Sequence, residues 1–274
     1  MHHLFLVAKT ELKESLRSRW FFIYSLVFAG LVALIFATGV TDSRVFGFAG
    51  LTRLLLIFIQ ACNIILPVFI LITTVRSIAG DKDLHILEYM LSFPISLRSY
   101  YWGKFLGRFI SVSVPLLFAM VLAVIFGLIS GDVQWQLASL YTLLLITSAF
   151  TYLGIGFLIS SIARTQEISL GFSLFIWLFL IALIDIVLIG FMIKSRVAPE
   201  FIFAVALVNP VQIFRVAAIS LFDPVLSVIG PAAYFILDKM GRYQFLAYSF
   251  FYCTMLGFIT ALIGYLMFKR KDLI

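Results

Sequence analysis

Apolar residues fall in six long runs, each near the roughly 20 residues that a helix needs to cross a bilayer. The runs are Phe21 to Val40, Leu54 to Val75, Phe109 to Gly131, Leu137 to Ala163, Ile168 to Ile193 and Phe245 to Phe268. They are continuous and rich in Leu, Ile and Phe, without the period-two alternation of a spanning barrel. Helices remain as the way to satisfy every backbone group in lipid. Ahead of the first run, Leu4, Ala8, Leu12, Leu16 and Trp20 recur every four residues, with Phe5 on their face and Lys9, Lys13 and Arg17 along its edge. This pattern predicts a helix over residues 1–20 lying in the interface with its cations among the headgroups.

Two segments break the apolar rhythm. In residues 76–102, Leu84, Leu87 and Leu91 share one helical face, Asp81, Asp83 and Glu88 supply charge, and Phe93-Pro94 stops the turn. A short helix from Asp81 to Leu91 is expected there. In residues 194–244, apolar stretches are interrupted by Asn209-Pro210, Asp223-Pro224 and Gly230-Pro231. A seventh span through them would bury Gln212 and Arg215 and move the basic tail across the membrane. Short helices that dip into or lie on the outer leaflet fit better, packed against protein.

Composition agrees. The chain is 63% hydrophobic and 12% charged, with mean hydropathy +1.14, whereas soluble domains are about 25% charged. A water-soluble fold is excluded. The expected fold class is an all-α membrane protein: a single domain, 1–274, of six transmembrane helices with an interfacial amino-terminal helix, a cytoplasmic coupling helix and a re-entrant or interfacial outer segment.

The net charge of +7 has its explanation in orientation. With the amino terminus inside, the cytoplasmic pieces hold Lys9, Lys13, Arg17 and Arg19, then Arg76, Lys82, Arg98, Lys104 and Arg108, then Arg164, and finally Lys269, Arg270 and Lys271. The two short outer loops hold Arg44 and Arg53. This positive-inside bias places both termini in the cytoplasm and implies lipid rather than nucleic acid as the polyanionic neighbour. The first run reads as an uncleaved signal-anchor. Cys62 and Cys253 fall inside runs, so no disulfide framework is implied.

Candidate chemistry is sparse. There is no phosphate-binding G-x-x-x-x-G-K-[ST], no H-E-x-x-H, no G-x-S-x-G and no C-x-x-C. No catalytic residue, bound cofactor or metal site is expected, and any active work draws on another chain or an ion gradient. Asp185 is the ionisable residue deep inside a run. An acid there costs about 2.5–3.5 kcal/mol on insertion scales, which marks it as an intramembrane polar site. A gradient-driven carrier centred on Asp185 and a passive membrane anchor are the competing readings. The charged helical insert occurs once, after the second run, which argues against a carrier built from two related halves.

The insert carries a resemblance. Gly80-Asp81, Glu88, Met90-Leu91-Ser92-Phe93-Pro94-Ile95-Ser96 and Lys104 resemble the signature of the permease subunits of type-2 ABC exporters, with Asp81 where that family has Glu and Leu84-His85 where it often has Gly-Thr. Leu16 to Trp20, Gly103 to Gly107 and Asn209-Pro210 followed by Arg215 are similar to the NosY-type permeases of nitrous oxide reductase maturation. The resemblance implies a homodimer in the bacterial inner membrane, and a cytoplasmic homodimeric ATPase that holds ATP and Mg. It implies docking of that ATPase at Asp81, Asp83, Leu84, Leu87, Glu88, Leu91 and Pro94. Outside the cell it implies a periplasmic β-helix protein and a copper chaperone as partners, with Asn209, Pro210 and Arg215 as the outer contact.

Overall fold

The computed structural model describes residues 2–37, 50–130, 135–183, 206–222 and 240–271. Among the described residues all regular structure is helical. Helix α1 (His2–Arg17) meets α2 (Arg19–Ala37) at an elbow of 67°. The Ser18 hydroxyl accepts the Phe21 N–H at 3.2 Å and so caps the second helix. Helix α3 (Gly50–Thr74) turns at Val75 into α4 (Arg76–Asp83), followed by α5 (Ile86–Leu91). Then come α6 (Leu97–Ser130), α7 (Trp135–Ile162) and α8 (Gln166–Leu178), which passes into a π-helical turn at Phe179–Leu183. Helices α9 (Pro210–Phe222) and α10 (Arg242–Lys271) complete the described chain.

Four stretches are long and apolar enough to cross a membrane: Phe58–Asp83, Leu97–Phe126, Trp135–Ile162 and Arg242–Arg270. The bent α1–α2 pair raises the number to five. Gln166–Ala182 is shorter, and the rest of the fifth apolar run, Asp185 with it, lies outside the described residues. The expectation of six spans therefore stands at four to five among the described residues.

Three boundaries differ from the sequence reading. Helix α6 begins at Leu97 rather than Phe109, roughly twelve residues or about 18 Å early, because Lys104 and Arg108 in its first turns are paired and Arg98 is exposed. The expected helix from Asp81 to Leu91 is two helices, broken at Leu84 and His85, and His85 adopts φ 56°. Such a left-handed residue normally ends a helix as glycine does. Finally, α1 packs through Val7, Ala8, Glu11 and Ser15, while Phe5 on the expected stripe stays exposed.

Close backbone approach explains that last change. A Cβ on Gly103 would lie 2.8 Å from the Leu4 carbonyl oxygen, and one on Gly107 2.5 Å from that of Ala8. Two glycines one turn apart thus form a groove for α1 on α6, and small residues let helices approach where hydrophobic drive is weak. The α7–α10 seam is built likewise: a Cβ on Gly154 would meet the Gly257 carbonyl oxygen at 2.2 Å.

Helix α9 is buried between α3, α7 and α10. Its 13 residues make about 20 Å of helix, too short to cross. Asn209 caps it, accepting the Val211 N–H at 3.0 Å, with Pro210 in the first-turn position that proline favours. Arg242 donates to the Leu221 carbonyl at 2.6 Å at the other end, where a cation suits the helix dipole. Helix α10 therefore starts against α9 and ends with Phe268 stacked on Tyr100 at 5.9 Å. This puts α9 and α4 at opposite ends of the bundle.

The glycine seam is testable. Gly154→Val should lower the thermal midpoint in detergent, since overpacking costs about 1–3 kcal/mol. Gly30→Ala, where a Cβ meets nothing within 4 Å, should leave it unchanged or slightly raised. Equal melting of the two variants by circular dichroism would contradict the seam.

Candidate functional site

Helix α4 is fastened on every side. The Ser160 hydroxyl of α7 accepts the Ile78 and Ala79 amides at 3.0 and 2.9 Å and donates to the Val75 carbonyl at 2.8 Å. That carbonyl also accepts the Ser169 hydroxyl of α8 at 3.0 Å. Lys82 donates to the Ser161 carbonyl at 3.2 Å and lies over the Phe268 ring at 5.1 Å. Asp83 accepts the Gln166 amide at 3.4 Å. The turn between α3 and α4 thus has its polar groups answered from α7 and α8, as buried backbone requires.

Charge completes the brace. Lys104 of α6 reaches Asp81 at 2.6 Å and Glu11 at 3.4 Å, and donates to the Ser77 carbonyl at 3.0 Å. Arg108 pairs with Glu11 at 2.5 Å. Tyr100 donates to Asp81, and Ser77 donates to Glu11 at 3.4 Å. Two acids and two bases from α1, α4 and α6 form a neutral, largely buried cluster. Burial alone would raise the Glu11 carboxyl. The charges of Arg108 and Lys104, with hydrogen bonds from Lys104 and Ser77, outweigh it and hold the group below its ordinary 4.5.

Helix α5 is the opposite case. Leu87 alone of its described side chains is fully buried and anchors it to the core. Leu84 is 68% exposed and Tyr89 65%, and Ile86 and Phe93 are also exposed. Tyr89 and Phe93 meet edge to face at 5.2 Å. Asp83, His85, Glu88 and Pro94 lie exposed around them, with His85 Nδ1 3.4 Å from Glu88. An apolar patch with a polar, charged rim, projecting from a charged end of the bundle, has the composition of a protein contact rather than a lipid face.

The structure therefore divides the expected site. Asp81 belongs to the buried brace, whereas Asp83, Leu84, Glu88 and Pro94 belong to the exposed projection, with Leu87 as its anchor and Leu91 at its end. Sequence reasoning passed over Glu11, Arg108 and Ser160. One signal was present for Glu11: a lone acid on a helix face with Ala8 and Ser15, facing a Gly-Lys-x-x-Gly-Arg run. The residues expected at the outer contact are placed as follows. Asn209 is 2% exposed and Pro210 is buried, with the Asn209 amide donating to the Leu180 carbonyl at 2.8 Å, while Arg215 is half-buried and bonded to Gln212. These residues are internal fastenings because helix capping and burial already occupy them.

Taken together, apolar spans, a braced turn and an exposed projecting helix at one end define a multi-pass membrane protein built to connect with something outside the bilayer. The chain belongs to the ABC-2 family of transporter proteins, whose profile matches residues 5–273. It is 24% identical to the ABC transporter permease protein NosY of Stutzerimonas stutzeri over 237 residues, covering 84% of this chain and 86% of that protein. It is 24% identical to the NosY permease of Pseudomonas aeruginosa over 224 residues, covering 79% and 82%. Membership of this family implies an ABC ATPase partner.

The Glu11 cluster generates a pH dependence. Because the folded carboxyl is held below its ordinary value, its stabilisation is present above about 4.5 and is lost as pH falls through the lower, folded value. Thermal melting between pH 7 and pH 3 should show this loss in the parent and a smaller one in Glu11→Gln. At neutral pH, Glu11→Gln should cost about 3–5 kcal/mol, as stranding a buried charge does. Identical pH profiles would remove the cluster as a stabilising element.

Proposed function

We infer that this chain is the membrane permease of an ATP-driven complex, coupling ATP hydrolysis in a separate subunit to export or to action on an extracytoplasmic partner. The observation that carries the reading is the exposed α5 projection set on the braced α4. An ATPase that grips Leu84, Ile86, Tyr89 and Phe93 moves α4, and α4 cannot move without α1, α6, α7 and α8. The chain itself is non-catalytic; ATP and Mg belong to the ATPase homodimer. A second copy of the permease completes the assembly in the bacterial inner membrane, with both termini in the cytoplasm beside the ATPase. Such coupling requires contacts that differ between two states, and a projection with one buried anchor and an otherwise exposed surface suits this requirement.

The likeness to NosY permeases supports a narrower reading, a role in maturation of the copper enzyme nitrous oxide reductase. In that setting the outer end faces a periplasmic β-helix protein and a copper chaperone.

Docking at α5 makes a specific demand. Tyr89→Asp and Glu88→Lys should each reduce copurification of the ATPase with the tagged permease by about tenfold or more, the loss expected when an interface anchor is removed. Membrane insertion should be unchanged. Undiminished copurification in both would exclude α5 as the docking element.

A further inference from the structure

The two ends of the bundle share one connecting rod. At its start, α8 is tied to the braced turn twice: Ser169 donates to the Val75 carbonyl at 3.0 Å, buried, and the Gln166 amide reaches Asp83 at 3.4 Å. At its far end the π-helical turn Phe179–Leu183 presents the Leu180 carbonyl to Asn209, whose amide donates at 2.8 Å. Asn209 is the cap of α9, so the outer helix hangs from the end of α8. Its approach is fastened from α10 as well, where Tyr248 and Tyr252 donate to the Leu207 and Val208 carbonyls at 2.9 and 2.5 Å.

We propose that α8 and its π turn carry displacement of the coupling turn to the outer helix, with Ser169 and Asn209 as the positioning residues at its two ends. Three features favour α8 over its neighbours. The long helix α10 meets α4 through one cation over a ring, and its buried hydrogen bond at this end, from the Tyr101 hydroxyl to the Ala261 carbonyl at 2.7 Å, is made to α6 and not to the coupling turn. Helix α7 also holds α4, through Ser160 and Ser161, but its close seam is with α10 at Gly154 and Gly257, whereas the Asn209 amide is bonded to the π turn that follows α8. Helix α8 instead keeps much of its apolar surface open, with Phe172 and Phe175 exposed, and passes at Phe179 into a π turn, a form found mostly at functional sites. Hydrogen bonds fasten it at Ser169 and, through the π turn, at Leu180. The proposal rests on the ATP-driven reading above and adds the route through the membrane.

Asn209 offers a substitution that separates the two duties of one side chain. Asn209→Asp keeps an oxygen for the Val211 amide and removes the donor to Leu180, at the cost of a buried carboxyl. A general loss of structure would therefore remove the response at both ends, whereas the rod predicts loss at the outer end alone.

The experiment uses the full permease with its ATPase in lipid nanodiscs and a membrane-impermeant maleimide. Reporters are Arg98→Cys at the coupling end and Tyr243→Cys at the outer end, both exposed positions, while Cys62 and Cys253 are buried. In the parent, a non-hydrolysable ATP analogue should change labelling at both ends by about fivefold or more, the lower edge of ordinary allosteric coupling. Asn209→Asp and Ser169→Ala should each keep the response at residue 98 and abolish it at residue 243. Either variant retaining the outer response overturns the assignment. A parent that responds at residue 98 but not at 243 overturns it while leaving the ATP-driven reading intact. A parent that responds at neither end overturns both.

Discussion

Everything at the coupling end depends on placing Lys104. A lysine at the mouth of a lipid-embedded bundle is tolerable when carboxylates and carbonyls surround it, and here Glu11, Asp81 and the Ser77 carbonyl do so. That single ammonium joins three segments that are distant in sequence. It sets the pitch of α1 on α6, fixes the start of α4 and, with Arg108, keeps Glu11 charged in a nearly closed site. Gly103 and Gly107 belong to the same constraint, because a bulkier residue at either would hold α1 too far away for Glu11 to arrive.

The mechanical consequence is an asymmetry over a few residues. Up to Asp83 the chain is held on all sides, while α5 is held by buried Leu87 and partly buried Met90. A load on α5 is therefore carried by the break at Leu84 and His85 into a rigid turn instead of being absorbed by a flexible loop. A continuous helix would have placed Leu84 and Leu87 on a common face. The left-handed residue instead leaves Leu84 outside and Leu87 inside, so that one leucine can face a partner while the other anchors.

The apolar helices among the described residues were plain in the sequence because apolar length in lipid leaves few alternatives, and the charged helical insert was legible from its charge and terminal proline. The break within that segment was hidden. Neither Leu84 nor His85 is a helix breaker, and a left-handed histidine is settled by surrounding contacts, not by propensity. The brace was half visible: Lys104 stood out as part of a motif, whereas Glu11 read as one polar residue on an amphipathic helix until glycines eighty and more residues away revealed what it faces. The outer residues show the limit more sharply. An Asn-Pro pair followed by an arginine was read within short helices of the outer segment, and that the Asn caps a buried helix depends on packing the sequence does not show.

The two ends also solve the problem of attachment in different chemical terms, and the dielectric explains why. Around α4 ions are used: two acids and two bases, largely buried, compensate one another and gain directional strength by charge assistance. Around α9 the described fastenings are mainly an amide and phenolic hydroxyls on backbone carbonyls, with the charge of Arg242 kept to the helix end. Neutral donors on carbonyls cost less to bury than an ion pair in the same place would. Charges around α4 and mainly neutral hydrogen bonds around α9 are therefore the distribution that suits the two surroundings, and it is the one the described residues have.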